Sequence, residues 1–262
     1  MTENKKKIAI VTGVSRLKGI GKAICTELAK NGIDIFFTYW LNYDKQMEWG
    51  VDENEPDKIQ EEIQKYGVKC EKIELNLMEE NSIEKLFETV NKTMGSPSIL
   101  VNNATYSTQT NLSSITNQEL DFHYNVNLKA TIMLTTKFVR EFNGRNESGR
   151  IINLSSGQNL SAMSEEIAYA VTKGAIETFT RTIYQEVAKK KITINAVNPG
   201  LTDSGWLNDA QQDFFKKRFP MGRIGQPEDA ARLIAFLASE KAQWITGQII
   251  NSEGGFIREQ ID

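Results

Sequence analysis

Short β-branched runs alternate with helical patterns along nearly the whole chain, and this alternation restricts the possible fold more than any other feature. Strand-like runs occur at 8–12, 33–39, 68–75, 98–101, 150–154, 192–197 and 248–250. Helical periodicity separates them, at 19–31, 55–66, 80–94, 117–142, 166–189 and 227–238. Regular alternation of this kind is typical of α/β proteins with helices on both faces of a parallel sheet. The sequence therefore predicts one α/β domain over residues 1–262, with a doubly wound parallel sheet of about seven strands.

Length, charge and cysteine content narrow the class of protein. The chain has 262 residues and a formal net charge of -3, which gives no reason to expect a nucleic-acid or membrane-surface partner. No apolar run approaches the roughly 20 residues of a membrane span. Two separate cysteines, Cys25 and Cys70, favour reduced thiols in a cytoplasmic protein. His123 is the only histidine; it predicts no metal site and is expected at a helix surface or an interface.

A glycine-rich segment, 12–21, connects the first strand to the first helix. Glycines at such a turn let the backbone approach a pyrophosphate, and the helix N-terminus supplies amide donors. A tight turn without any ligand is the alternative. Its position between a strand and a helix favours a Rossmann-type dinucleotide site. The residues expected to contact the dinucleotide here are Gly13, Ser15, Arg16, Gly19, Ile20 and Gly21.

The end of the second strand bears on which nicotinamide cofactor binds. Folds that bind NAD place an acidic residue there for the ribose hydroxyls. The run that ends at Tyr39 carries no acid at this end, and Asp34 lies at the opposite end. Arg16 and Lys18 stand in the glycine loop, and an arginine near the ribose accommodates a 2′-phosphate. The sequence therefore favours NADP(H) over NAD(H).

Three residues further along suggest proton transfer to a carbonyl. Tyr169 and Lys173 are four residues apart, so a helix places both on one face. Ser156 follows the apolar run 151–154, which reads as a buried strand. A phenol beside an ammonium and a hydroxyl can move a proton to or from an alcohol oxygen, and we expect the ammonium to lower the pKa of the phenol. Each of these residues alone could serve packing or helix capping. Together, and in a chain that also carries a glycine loop, they predict a catalytic site.

These motifs, with several others in order, resemble the short-chain dehydrogenase/reductase family, particularly its 3-oxoacyl-acyl-carrier-protein reductases. The resemblance covers about residues 6–257. Its motifs are the glycine loop, Asn102-Asn103-Ala104, Asn125-Val126-Asn127, Ser156, Tyr169, Lys173, Asn198-Pro199-Gly200, the run 222–229, Thr246-Gly247-Gln248 and the run 253–256.

The resemblance implies a set of site residues. The catalytic tetrad would be Asn127, Ser156, Tyr169 and Lys173, with Asn127 anchoring a water that relays protons from the lysine. Beyond the glycine loop, the implied cofactor contacts are Tyr39, Asn76, Leu77, Asn103, Ala104, Tyr169, Lys173, Pro199, Gly200, Thr202 and Ser204. The chain departs from the family pattern at four places. Its glycine loop is two residues longer, Asn76 replaces a usual Asp, and Thr105 replaces a usual Gly. The segment 40–54 is an addition to the pattern, and we expect it to form a loop at one edge of the cleft.

The implied activity is NADPH-dependent reduction of a carbonyl, with a 3-oxoacyl thioester as the leading substrate. Two alternatives stay open: an alcohol, sugar or polyol dehydrogenase of the same family, and a non-catalytic dinucleotide-binding module. Enoyl reductases of the family usually space the tyrosine and lysine farther apart. The expected partners are a small-molecule or acyl-thioester substrate and further copies of the chain, because the family usually pairs the helices at 117–142 and 166–189 into a homotetramer. Aromatic residues at 206–219 either cover the substrate or pack a small helix.

Overall fold

Seven parallel strands form one sheet in the computed structural model, which describes residues 6–47, 49–144 and 148–258. The strands are β1 (Ile8–Val11), β2 (Asp34–Tyr39), β3 (Cys70–Glu74), β4 (Ile99–Asn102), β5 (Gly149–Leu154), β6 (Ile192–Asn198) and β7 (Ile249–Asn251). Their order across the sheet is β3-β2-β1-β4-β5-β6-β7, and every pairing is parallel. The predicted fold class is confirmed. A single domain over 1–262 stays a prediction, because 1–5, 48, 145–147 and 259–262 lie outside the described residues.

Helices connect successive strands. They are α1 (Ile20–Lys30), α2 (Leu41–Asp44), α3 (Glu55–Gln64), α4 (Ser82–Thr93), α5 (Asn117–His123), α6 (Ala130–Glu141), α7 (Ile167–Ala188), α8 (Asp209–Lys216) and α9 (Pro227–Ala238). The long helix predicted at 117–142 is interrupted by a π-helical turn, Tyr124–Lys129, between α5 and α6. The segment 40–54, expected as a loop, begins with the short helix α2; its residue 48 lies outside the described residues.

Two apolar layers lie on opposite faces of the sheet. Along β1, Ala9 and Val11 belong to the layer that packs against α1 and α9. Ile8 and Ile10 belong to the other layer, which packs against α4 and α6. Alternate residues of a strand point to opposite faces, and a parallel sheet covered on both sides is apolar throughout its strands. This packing leaves the carboxyl edge of the sheet as the place where polar groups can gather.

The strand order reverses at β1, which lies between β2 and β4. In open α/β sheets the ligand crevice lies outside the carboxyl ends of the strands at such a reversal. The loops after β1, β2 and β4 therefore form the expected crevice. In the part of the chain that the structure describes, no helix is both long and apolar enough to cross a membrane.

Candidate active site

A cavity follows the carboxyl edge of the sheet where the strand order reverses. The glycine loop forms one wall, and the ends of β2, β3 and β4 form the others. The predicted cofactor residues that line it are Gly13, Ser15, Arg16, Gly19, Ile20, Gly21, Tyr39, Leu77, Asn103, Ala104 and Ser204. The fold thus brings together residues from distant parts of the sequence into one cleft.

The glycine loop is shaped for close approach of the backbone to a ligand. Gly13 has φ of +74°, and a Cβ there would lie 2.6 Å from Cα of Ala104. A Cβ on Gly21 would lie 2.8 Å from the carbonyl oxygen of Gly13. Gly19 caps α1, and no side chain caps this N-terminus among the described residues. Free backbone amides at a helix N-terminus, approached over glycines, fit the pyrophosphate of a dinucleotide.

Asn103 and Thr12 tie the ends of β4 and β1 together. The Asn103 carboxamide donates to the carbonyl oxygens of Thr12 and Gly13, at 2.8 and 2.9 Å. The Thr12 hydroxyl accepts from the amides of Asn103 and Ala104, at 3.1 and 3.0 Å. The side-chain amide of Asn103 is therefore used to hold the glycine loop in place.

The turn after β3 separates two residues that were predicted to contact the cofactor. Leu77 lies in the cavity wall. Asn76 does not line the cavity, and its side-chain oxygen accepts from the amide of Met78 at 3.0 Å. Asn76 therefore holds the turn that carries Leu77 into the cleft, and its predicted contact with the cofactor gains no support from this geometry.

The structure brings Ser156, Tyr169 and Lys173 together as the spacing predicts. Ser156 follows the end of β5, while Tyr169 and Lys173 lie on α7. The Ser156 hydroxyl lies close enough to the phenol of Tyr169 to favour the phenolate and act against the rise of its pKa. The Lys173 ammonium donates to the carbonyl oxygen of Leu154 at 2.9 Å and lies 5.5 Å from the centre of the Tyr169 ring. The end of β5 and one face of α7 thus meet beside the phenol of Tyr169.

The pKa values of Tyr169 and Lys173 differ from those expected from the sequence. Burial raises the pKa of Tyr169 to about 12; Ser156 opposes the rise and Glu166 adds to it. Burial lowers the pKa of Lys173, only 2% exposed, to about 7. The pKa of Tyr169 is therefore raised and not lowered as the sequence led us to expect, because desolvation of the phenolate outweighs the groups that favour it. Tyr169 therefore keeps its proton at neutral pH, which is the state that a proton donor needs.

Asn127 is fully buried in the π-helical turn. Its side-chain oxygen accepts from the amide of Tyr106 at 2.7 Å and the hydroxyl of Thr105 at 3.1 Å. Its side-chain nitrogen donates to the carbonyl of Tyr106 at 2.9 Å and the hydroxyl of Thr172 at 3.1 Å. A carboxamide makes about four hydrogen bonds at most, so no part of this side chain is free to anchor the predicted water. The Asn127 side chain instead joins the loop after β4 to α7, one residue before Lys173.

The turn after β6 carries the four remaining predicted residues. Thr202 is buried, and its hydroxyl donates to the carbonyls of Pro199 and Gly200, each at 3.2 Å. Gly200 has φ of +67°, and a Cβ there would lie 2.9 Å from Cα of Glu253. Of these four residues, only Ser204 lines the cavity. Pro199, Gly200 and Thr202 form the turn that presents it.

The added segment 40–54 contributes residues that the sequence reasoning missed. Tyr43 and Asp44 line the cavity together with Trp40. The Tyr43 hydroxyl donates to the carbonyl of Ser107 at 3.1 Å and accepts from its amide at 3.3 Å. The segment after β2 is thereby joined to the loop after β4. The signal in the sequence was an acid and a tyrosine a few residues after β2, inside a segment interpreted only as a loop.

His123 and the aromatic residues at 206–219 are the remaining residues for which the sequence led to an expectation. His123 is fully buried, with Nδ1 2.8 Å from the carbonyl oxygen of Glu119 and its ring edge against Tyr106, so the helix-surface expectation was wrong. Within the described residues no cluster of three or more His, Cys, Asp or Glu could hold a metal ion. Phe219 packs in a small apolar cluster that Phe215 borders, whereas Trp206 and Phe214 are exposed.

Comparison with known proteins agrees with this geometry. A family profile described as Enoyl-(Acyl carrier protein) reductase matches residues 13–257. The chain is 48% identical to the uncharacterised oxidoreductase YjdA of Bacillus subtilis, over 98% of this chain and 100% of that protein. It is 32% identical to the 3-oxoacyl-[acyl-carrier-protein] reductase FabG of Aquifex aeolicus, over 95% of this chain and 96% of that one. The crystal structure of the landomycin C-6 ketoreductase LanV with bound NADP and rabelomycin superposes with a TM-score of 0.80 at 30% identity, over 95% of each chain. The chain belongs to the short-chain dehydrogenase/reductase family of NAD(P)-dependent oxidoreductases and resembles its 3-oxoacyl-acyl-carrier-protein reductases.

Proposed function

We propose that the protein is an NADPH-dependent carbonyl reductase that converts a 3-oxoacyl thioester to the 3-hydroxyacyl form. The observation that carries this proposal is the arrangement of Tyr169, whose phenol lies beside the hydroxyl of Ser156 and whose ring centre lies 5.5 Å from Nζ of Lys173. With a pKa raised to about 12, the phenol of Tyr169 carries its proton at neutral pH, as a group that donates to a carbonyl oxygen must.

The roles of the chain's own residues follow from their positions. The bound nicotinamide would supply the hydride. Tyr169 donates its proton to the carbonyl oxygen, and Ser156 donates a hydrogen bond to the same oxygen as negative charge develops there. Lys173 faces the ring of Tyr169 and stabilises the phenolate left after proton transfer. Asn127 positions α7 through its bond to the hydroxyl of Thr172, next to the lysine.

The cofactor assignment to NADP(H) rests on Arg16. The guanidinium lies in the glycine loop and in the wall of the cavity, together with Tyr39 at the end of β2. Arginine binds phosphate through paired, charge-assisted hydrogen bonds, which suits a ribose 2′-phosphate. The LanV structure with bound NADP supports this assignment.

The substrate class can be tested with a panel of carbonyl compounds. We expect kcat/KM for an acetoacetyl thioester with NADPH to exceed that for acetoin or simple cyclic ketones by about tenfold or more, because a hydrophobic pocket discriminates by roughly that factor for each missing apolar contact. Oxidation of NADPH, followed at the nicotinamide absorbance, gives the measurement.

Each alternative predicts a different result in the same panel. Faster turnover of simple or polycyclic ketones would favour a ketoreductase such as LanV over a thioester reductase. Faster oxidation of sugars or polyols would favour a dehydrogenase. Tight binding of NADPH without turnover of any compound would favour a non-catalytic dinucleotide-binding module.

We propose a homotetramer built on the helices α5 to α7. Four apolar side chains on these helices and on the turn between them are exposed in the single chain: Leu120, Tyr124, Met133 and Val171. Burial of exposed apolar surface drives association, and homo-oligomers close with point-group symmetry. Sedimentation velocity at micromolar concentration should give a single species near four times the 29.6 kDa of the chain. A monomer under these conditions would refute the assembly.

We propose that this enzyme acts in the cytoplasm. Cys25 and Cys70 are both buried free thiols, and burial raises the pKa of each thiol. Thiols of this kind are inert and persist in a reducing compartment.

A further inference from the structure

One buried carboxylate joins two motifs of the sequence, Asn198-Pro199-Gly200 and the run 253–256. Glu253 follows β7, and its side chain is only 10% exposed. Nδ2 of Asn198 donates to Oε1 of Glu253 at 2.8 Å, while Oδ1 of Asn198 accepts from the amide of Gly200 at 2.9 Å. A Cβ on Gly200 would lie 2.9 Å from both Cα and Cγ of Glu253. The turn after β6 is therefore packed directly against the Glu253 side chain.

Arg258 brings a second turn of the active site to the same carboxylate. Its guanidinium nitrogen Nη2 donates to Oε1 of Glu253. A Cβ on Gly157, the residue after Ser156, would lie 3.0 Å from Nη2 of Arg258 and 3.2 Å from Oε1 of Glu253. One carboxylate oxygen thus lies between the backbone that follows Ser156 and the turn after β6.

Three further contacts fix the segment that carries Arg258. The amide of Ile257 donates to the carbonyl oxygen of Arg218 at 2.9 Å. The ring centres of Phe256 and Phe219 lie 5.1 Å apart, and the guanidinium carbon of Arg258 lies 5.3 Å from the ring centre of Phe256. Arg258 is therefore held in place by backbone and aromatic contacts as well as by its ion pair.

The Glu253–Arg258 pair is sensitive to the loss of one partner. A buried carboxylate needs charge or hydrogen-bond partners to offset its lost hydration. Within the described residues, only Asn198 would remain as a donor to Glu253 if Arg258 were removed. Removal of one member of a buried pair leaves an unpaired charge, which costs more than removal of both. The carboxylate would then turn towards water and give up its packing against Gly200.

We propose that Glu253 and Arg258 are positioning residues of the active site, which hold the backbone at Gly157 and Gly200. They act through these two turns and not on the reacting atoms. A donor such as the Ser156 hydroxyl works only at the right distance from the developing charge, and a displacement of about 1 Å can cost on the order of 10² in rate. This inference rests on the proposed function, because it assumes that Ser156 takes part in carbonyl reduction.

The first measurement is kcat for reduction of an acetoacetyl thioester per NADPH-binding site. Sites are counted by calorimetric titration, so that a loss of folded protein does not lower the value. Arg258→Met should lower kcat per site by about tenfold or more. Arg258→Lys keeps a positive charge for Glu253 and should recover part of this loss. Glu253→Gln combined with Arg258→Met should also recover part of it, because no unpaired charge is left.

The second measurement does not depend on turnover. Native-state amide hydrogen exchange reports local opening of the backbone. The amides of Gly200 and Leu160 each donate a hydrogen bond within one of the two turns. We expect both to exchange about tenfold faster in Arg258→Met than in the wild type, whereas the glycine loop, 12–21, should exchange at its wild-type rate.

Arg232→Met is the matched control. Arg232 is exposed and pairs with Asp229 on α9 at 3.2 Å, so its loss should change neither kcat per site nor the exchange of the two turns. Equal losses in Arg258→Met, Arg258→Lys and the double variant would overturn the inference. So would a change in only one of the two measurements.

Two further outcomes are also decisive. If Arg258→Met does not fold, Glu253→Gln decides, because a neutral amide binds Arg258 more weakly than a carboxylate does; unchanged kcat per site in that variant overturns the inference. A wild type that binds NADPH but reduces no carbonyl would instead overturn the proposed function. The exchange rates would then still show whether the pair holds both turns.

Discussion

Tyr169→Phe is expected to lower kcat for carbonyl reduction by about 10²- to 10⁴-fold, the usual contribution of one positioned acid. The variant removes the hydroxyl that carries the proton but keeps the aromatic ring that faces Lys173. Because the ring stays, the dissociation constant for NADPH should change by no more than about twofold. Steady-state kinetics and calorimetric titration on the same preparations measure the two quantities.

Tyr184→Phe is the matched control for this variant. Tyr184 lies on the same helix, α7, and its hydroxyl accepts a hydrogen bond from Gln185 at 3.0 Å in an exposed position. Loss of that hydroxyl should leave kcat near the wild-type value. A Tyr169→Phe enzyme with nearly normal kcat would show that another group supplies the proton.

Lys173→Met is expected to abolish most activity and yet to increase the free energy of unfolding of the nucleotide-free protein at neutral pH. Burial in the native protein lowers the pKa of this ammonium to about 7 from its ordinary value of 10.5. Between these values the unfolded chain binds more protons than the native one, so wild-type stability rises with pH. The destabilisation is fully present below about pH 7 and is lost as the pH approaches 10.5. Methionine has a similar length and carries no charge to desolvate.

The gain in unfolding free energy should therefore depend on pH in a defined way. It is largest at and below pH 7 and shrinks by about 1.4 kcal/mol for each pH unit above it, the value for one titrating proton. Chemical denaturation of both proteins at several pH values measures the difference. Lys85→Met, at an exposed position in α4, should show no such trend. A gain that is constant across this pH range would mean that Lys173 is not destabilised by burial of its charge.

The opposite effects on activity and stability would have one physical origin. Lys173 is buried, and it lies beside the half-buried side chain of Tyr169. That position lets the ammonium act on the phenol through a low dielectric, but it costs hydration of the charge. Residues whose removal stabilises a protein while ending its function are expected at such sites.

Local sequence patterns were enough to predict which strands, loops and helices form the site. The alternation of strands and helices, the glycines after β1 and the four-residue spacing of Tyr169 and Lys173 each depend on residues close together in the sequence. Strand ends in a parallel sheet meet at one edge, so the glycine loop and Ser156 could be placed at the same edge without coordinates. The resemblance to a known family added Asn127, whose neighbouring residues suggest an ordinary helix.

The charges and the partners of these residues depend on contacts between distant segments. Asn127 is saturated by the loop after β4 and by Thr172, and Asp44 meets Arg16 across the cleft. No periodicity marks such contacts, since each partner lies tens of residues away in the chain. The pKa values of Tyr169 and Lys173 also follow from burial, which the packing of the whole chain sets.

The order of the residues thus determined the sheet, the glycine loop and the convergence of a hydroxyl, a phenol and an amine, because periodicity and spacing are local. Only the tertiary structure decided which of these groups hold their protons and which acid faces the cofactor cleft. The physical reason is that desolvation and ion pairing depend on every atom packed around a charge, wherever in the chain that atom originates.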